Sequence, residues 1–132
     1  MFYGMLERRS SPLLPVLRSL VLVRVSQINR CAFCVDINSA TLAKRGVSED
    51  KVLAVAEWRR TDLFAPDERL ALEYAEATSL NKVDDDLRLR LKERWDDDAI
   101  VELTGLIAYQ NLSAKFNAAL DVPVQGFCRL PQ

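Results

Sequence analysis

Two of the chain's three cysteines stand two residues apart in the stretch "RCAFCVDINSA", residues 30–40. On a helix, Cys31 and Cys34 are i and i+3 neighbours on one face, close enough to form a disulfide with little backbone movement. A pair in the first turn gains from the unpaired N–H groups and positive dipole end of the helix, and Arg30 adds a cation beside it. Both favour the thiolate, the reactive form of the side chain. Such a dithiol can reduce a peroxide: one sulfur becomes a sulfenic acid, which the other resolves to a disulfide. Two other uses of the spacing stay open. Cysteine is often a small buried hydrophobe, and C-x-x-C also occurs in metal sites. The metal reading is the weakest, because the chain has no histidine and one other cysteine, so it cannot supply four thiolate or imidazole ligands by itself. That third cysteine, Cys128 in "QGFCRLPQ", is assigned no role.

The chain that must position this pair has 132 residues, 49% of them hydrophobic and 28% charged. That is the balance of one globular domain, 1–132, which buries about two-thirds of the surface its unfolded form exposes. Four Gly and five Pro are too few for a sandwich of many short turns. A net charge of −1 and a pI near 5.5 lack the basic excess of a nucleic-acid binder. The local clusters "ERR" and "EWRR" read as solvated helix faces. The apolar run "LVLV" lies between Arg18 and Arg24, and like every apolar run of the chain it is far shorter than the roughly 20 residues of a membrane span. Two prolines and the lack of a small-residue cleavage site argue against a signal peptide. The expectation is a cytoplasmic protein with neither membrane nor nucleic-acid partners. In that compartment a C-x-x-C points to catalysis or metal binding rather than to a structural staple.

The periodicity predicts helices throughout. "MFYGMLERRSSP" reads as one short helix. Leu17, Leu20, Val21, Val25 and Ile28 recur at three and four, with Leu22 and Val23 filling more of the circumference, so 14–28 is a helix buried on most sides. The cysteines then open a helix that Gly46 caps, with Lys44 and Arg45 at its carbonyl end. Ser48 starts a third helix over "EDKVLAVAEWRR", with Val47 and Val52 as a hydrophobic staple. Pro66, Asp67 and Glu68 start a fourth, whose stripe is Leu70, Leu72, Tyr74 and Ala75. Residues 84–95 form a shorter one carrying Leu87, Leu89 and Leu91, and "DDD" at 96–98 starts a long last helix over 99–120. No period-two strand and no internal repeat is visible. The expected fold is all-α, five to seven helices in a single domain.

The order S-Q-I-N-x-C-x-[FY]-C-V-D, a Gly-ended helix, "AEWR", "LF-x-P-x-E-R-x-A-L" and a closing "FNAALDVP" resemble the alkylhydroperoxidase D-like branch of the carboxymuconolactone decarboxylase family. The likeness covers about residues 14–124. It implies an all-helical fold of about six helices that assembles into homo-oligomers, commonly trimers or hexamers, without metal or organic cofactor. It also implies a thiol-dependent peroxidase acting on hydrogen peroxide or alkyl hydroperoxides, with Cys34 peroxidatic, Cys31 resolving, and an external dithiol or lipoyl-bearing protein as reductant. The decarboxylase branch generally lacks the cysteine pair.

Two positions depart from that pattern. Active members carry a Glu in L-R-E-L-V and a His four residues after the second cysteine; here these are Ser19, in "LRSLV", and Asn38, in "CVDIN". Neither is a competent base near neutral pH, and acid–base help is typically worth about 10²–10⁴ in rate. The alternative expectation is therefore a relay-deficient redox sensor or scaffold oligomer, and a third is a general disulfide reductase. Asp36 is expected as an exposed or interface carboxylate, pointing away from Cys34. Arg24 should pair with Glu102 across the core. Trp58, Phe64 and Tyr74 read as core or interface, and Tyr109, Asn111 and Asn117 as residues of the last helix that could line a pocket.

Overall fold

Residues 11–130 are described by the computed structural model, so the helix expected over residues 1–12 lies almost wholly outside the described residues. Within them the chain is all-helical: α1 (Pro15–Ile28), α2 (Ala32–Lys44), α3 (Glu49–Leu53), a 3₁₀ turn (Val55–Arg60), α4 (Pro66–Ser79), α5 (Asp85–Arg94) and α6 (Asp97–Ala119). None of the described helices is long and apolar enough to cross a membrane.

α1 is the central element, packed against α2, α4 and α6. This position follows from its composition. Leu17, Leu20, Val21, Val23 and Val25 lie around most of its circumference and are all buried. On one side Leu17, Val21 and Val25 meet Ala71, Tyr74 and Ala75 of α4, Leu87 and Leu91 of α5, and Leu103, Leu106 and Ile107 of α6. On the other side Leu20 and Val23 meet Leu42, Val52, Val55, Trp58, Phe64 and Leu72. Each of these large side chains stabilises the fold by about 1.5–3 kcal/mol when fully buried. Trp58, Phe64 and Tyr74 are thus core residues.

The helix starts follow local chemistry. Ser48 Oγ accepts from the Lys51 N–H (3.3 Å), Asp84 from Leu87 (2.9 Å) and Asp96 from Ala99 (2.9 Å), each satisfying an orphan donor of a first turn. Pro66 begins α4, where Glu68 reaches back to the Ala65 N–H (2.8 Å). Gly46, with φ +84°, follows α2 in the left-handed conformation that an L side chain resists.

Two expectations are corrected, the third helix and the partner of Arg24. The helix expected over 49–60 is broken: α3 ends at Leu53, and Glu57 has φ −109° and ψ 25°. Arg69 of α4 causes part of this, donating to the carbonyls of Trp58 (3.0 Å) and Thr61 (2.9 Å) and stacking over the Trp58 ring. The tighter three-residue period also lets Val55 and Trp58 face the core together. Leu89 is exposed, because it lies two residues from both Leu87 and Leu91, which hold the buried side of α5. Arg24 does not meet Glu102. Its guanidinium bonds Glu76 of α4 (2.8 and 2.9 Å) and Gln27 (3.2 Å), and Glu76 is also held by Arg59. Glu102 instead faces Arg18 at 3.9 Å and accepts from Ser11 (2.7 Å). The approach of α4 to α1 set that exchange of partners.

Candidate active site

The turn from α1 to α2 places the dithiol. Arg30 N–H donates to the Gln27 carbonyl and Cys31 N–H to that of Ser26, both 3.1 Å, with Arg30 in the left-handed region at φ +54°. This is a Schellman ending, here without its usual glycine. It brings Cys31 directly to the N-cap of α2, where its sulfur accepts from the Cys34 N–H at 3.1 Å. Cys31 and Cys34, with Cα atoms 5.2 Å apart, form a disulfide. The i, i+3 geometry expected from the spacing is therefore present.

Both cysteines are buried, 1% and 2% exposed, among Phe33 of the same turn and Ala114 and Ala118 of α6. The small side chains of α6 let that helix approach the sulfurs. Asn117, between them, points its amide Nδ2 at Cys34 Sγ, 3.7 Å away, and at Ser113 Oγ, 3.4 Å away. Of the three last-helix residues named from the sequence, Asn117 reaches the pair. Asn111 bridges Asn29 (2.8 Å) and Ser79 (2.9 Å), and Tyr109 packs against the core.

Asn38 lies one turn after Cys34, and its amide donates to Ser26 Oγ (3.1 Å). Gln110 Nε2 of α6 donates to the same oxygen (3.2 Å), which itself donates to the Leu22 carbonyl (2.7 Å). Gln110 is not among the residues named from the sequence, and Ser26 enters there only as the first residue of the S-Q-I-N run. Their signal was there: each is a polar residue at an inward position of an apolar helix, Ser26 after Leu22 and Val23, Gln110 after Leu106 and Ile107. Ser19 is buried on α1, two turns or about 10 Å before Ser26. It forms none of the bonds that build this cluster. The side chains bonded in this cluster, and the Asn117 side chain at Cys34, are thus amides and a hydroxyl, which orient but do not titrate near neutral pH.

Asp36 overturns the expectation of an exposed carboxylate. It is 3% exposed, and its two oxygens accept the backbone N–H groups of Phe127 (2.9 Å) and Cys128 (2.8 Å). Burial pushes its carboxyl upward, but the N–H groups of Cys128, Phe127, Gln125 and Gly126 outweigh that and hold it below the ordinary carboxylate range. The C-terminal segment that wraps it had no helical pattern to announce it.

An all-helical fold with a C-x-x-C disulfide at the start of one helix, closed by a later helix, defines the class. The model of the carboxymuconolactone decarboxylase family matches residues 1–77, and the chain belongs to that family. It is 58% identical to the uncharacterized protein YnjA of Escherichia coli, over the whole of this chain and 74% of that protein. Among solved structures it resembles ATU0492 of Agrobacterium tumefaciens, a protein of unknown function whose suggested role is antioxidant defence as AhpD. That likeness has a TM-score of 0.85 at 25% identity and covers 93% of this chain and 85% of that one. The debrominase Bmp8, in complex with 2,3,4-tribromopyrrole, shares the fold with a TM-score of 0.82 at 21% identity, over 96% of this chain and 68% of that one.

Proposed function

We propose that this protein is a thiol-dependent peroxidase of the alkylhydroperoxidase D-like type, reducing hydrogen peroxide or alkyl hydroperoxides at Cys34 and Cys31. The observation that carries the reading is the disulfide itself, built at a helix N-terminus with a donor on each sulfur. The family and the likeness to ATU0492 support it.

In the reduced protein the Cys34 thiolate attacks the distal peroxide oxygen. The O–O bond breaks, Cys34 becomes a sulfenic acid, and the alcohol or water leaves with a proton. Cys31 attacks that sulfur, forming the disulfide and releasing water. An external dithiol or a lipoyl-bearing protein returns two electrons and restores both thiols. The sulfur–N–H bond at the N-cap favours Cys31 as thiolate, and the Asn117 amide does the same for Cys34. With Ser19 and Asn38 in place of a titrating relay, the leaving oxygen takes its proton from solvent, and turnover is slow beside a complete relay.

The whole of 1–132 acts as one domain in the cytoplasm. A homo-oligomer, trimer or hexamer, fits the largely apolar exposed face along α6 formed by Val101, Ala108, Leu112, Phe116 and Leu120, with the exposed Lys115 at its edge. The test is hydroperoxide consumption with a dithiol reductant, run beside Cys34→Ser: turnover is expected in the parent and absent in the variant. No turnover in either, with both thiols reactive, sinks the peroxidase. It leaves a redox-sensing or scaffold oligomer, a second reading favoured by the burial of both sulfurs and by the non-titrating side chains of Ser19 and Asn38.

A further inference from the structure

The disulfide is buried, yet any external thiol must approach a sulfur along the S–S axis to exchange with it. Two sides of the pair are closed by packed elements, α2 itself and α6 through Ala114 and Ala118. Phe33, half-buried, also packs against this cluster, and the exposed Phe127 meets its ring edge-to-face, with ring centroids 6.5 Å apart and planes at 73°. Phe127 in turn belongs to the non-helical segment after α6 that Asp36 grips through the N–H groups of Phe127 and Cys128. Gly126, at φ +76°, permits the turn that aims these N–H groups inward.

We propose that residues 125–128 are a latch, which Asp36 fastens and which holds Phe33 against the Cys31–Cys34 disulfide, so that release of the latch sets how fast a reductant reaches the sulfurs. The inference rests on the dithiol reading above and supplies its regulation. Opening this route detaches a short non-helical segment, its N–H groups from Asp36 and its Phe127 ring from Phe33. Opening the other side requires unpacking α6 from the core, so the latch is the cheaper local opening. Once Phe33 has moved, the thiolate of a dithiol reductant attacks Cys34 Sγ. A mixed disulfide forms, and Cys31 leaves as a thiolate that the Cys34 N–H stabilises. The reductant's second thiolate then displaces Cys34 and the oxidised reductant departs.

The test follows reduction of the oxidised protein by dithiothreitol, with maleimide quenching and mass counting of labelled thiols. All variants carry Cys128→Ser so that the pair alone is counted. Asp36→Asn keeps the side-chain volume but weakens the grip, and Phe127→Ala removes an exposed ring whose loss does not threaten folding. Each is expected to speed reduction by about tenfold. In a Phe33→Ala background the same two changes should add nothing, because the group they act through is gone. Reduction of Asp36→Asn and Phe127→Ala within twofold of the parent overturns the latch, as does full acceleration that persists without Phe33. Peroxide turnover is read separately. Accelerated reduction without turnover keeps the latch and ends the peroxidase reading, whereas turnover with unchanged reduction rates does the reverse.

Discussion

At the scale of single residues, the site divides its donors between the two sulfurs. Cys31 Sγ has a backbone N–H that a side-chain change cannot easily remove, while Cys34 depends on the amide of Asn117, 3.7 Å away. In the reduced protein that amide favours the charged form, so losing it raises the thiol's pKa. Asn117→Ala in a Cys31→Ser background should move the iodoacetamide alkylation profile of Cys34 to higher pH by roughly one pH unit, with an unchanged plateau rate. An unshifted profile would show that Asn117 only packs. Asn117 was visible in the sequence as a residue of the last helix, but nothing in its spacing distinguished it from Asn111, which faces Asn29 and Ser79 instead. The direction each amide takes depends on the rotation of α6 against α2, a quantity no local pattern encodes.

At the scale of elements, charged side chains act as clasps between helices. Glu76 of α4 joins Arg24 of α1 to Arg59 of the 3₁₀ turn, and the Arg24 and Glu76 side chains are mostly buried. Removing it by Glu76→Ala leaves the Arg24 guanidinium with Gln27, so the urea midpoint should fall by the equivalent of about 1–3 kcal/mol. A loss no larger than that of an exposed pair would mean solvent replaces the carboxylate freely. Two further carboxylates tie elements together and titrate below their ordinary range. Glu73 of α4 is lowered by the hydrogen bonds and charge of Arg90 on α5, and Asp36 of α2 by the tail N–H groups. A folded value below the unfolded one means stability that is present above the unfolded pKa and is lost as pH falls through the folded one. The stability difference between the parent and Asp36→Asn should therefore be full at neutral pH, begin to shrink below about pH 4 as the unfolded chain's carboxyl takes up its proton, and vanish once pH has fallen through the lower folded value. A gap that holds constant into acid would mean that charge contributes nothing to the tail's attachment.

At the scale of the molecule, the longest helix has a finished and an unfinished side. Leu103, Leu106, Ile107 and Ala114 are buried in the chain's own core, while Leu112 and Phe116 are 66% and 62% exposed on the opposite face with Val101 and Leu120. One copy leaves this face in water, and a second copy can cover it in the proposed homo-oligomer. Leu112→Glu combined with Phe116→Glu should convert the assembly to monomers in light scattering without loss of helical content, since neither residue enters the core. An oligomer that survives both charges places its interface elsewhere. This face also adjoins Asn117, so assembly and the dithiol share one helix.

Periods of three and four, Ser and Asp caps, and a Pro-started turn were enough to recover α1, α2, α4, α5 and α6, because helices are written in local spacing and the apolar residues of this chain keep to it. The C-x-x-C was equally readable, since i and i+3 on a helix leave the two sulfurs little freedom. What the folded chain decided were the encounters between distant segments. Arg69 reaches back to Trp58 and Thr61 where a third helix was expected to continue, Arg24 finds Glu76 rather than Glu102, Ser26 collects Asn38 and Gln110, and the tail wraps Asp36. Each depends on docking angle and helix rotation, which the sum of the core contacts selects.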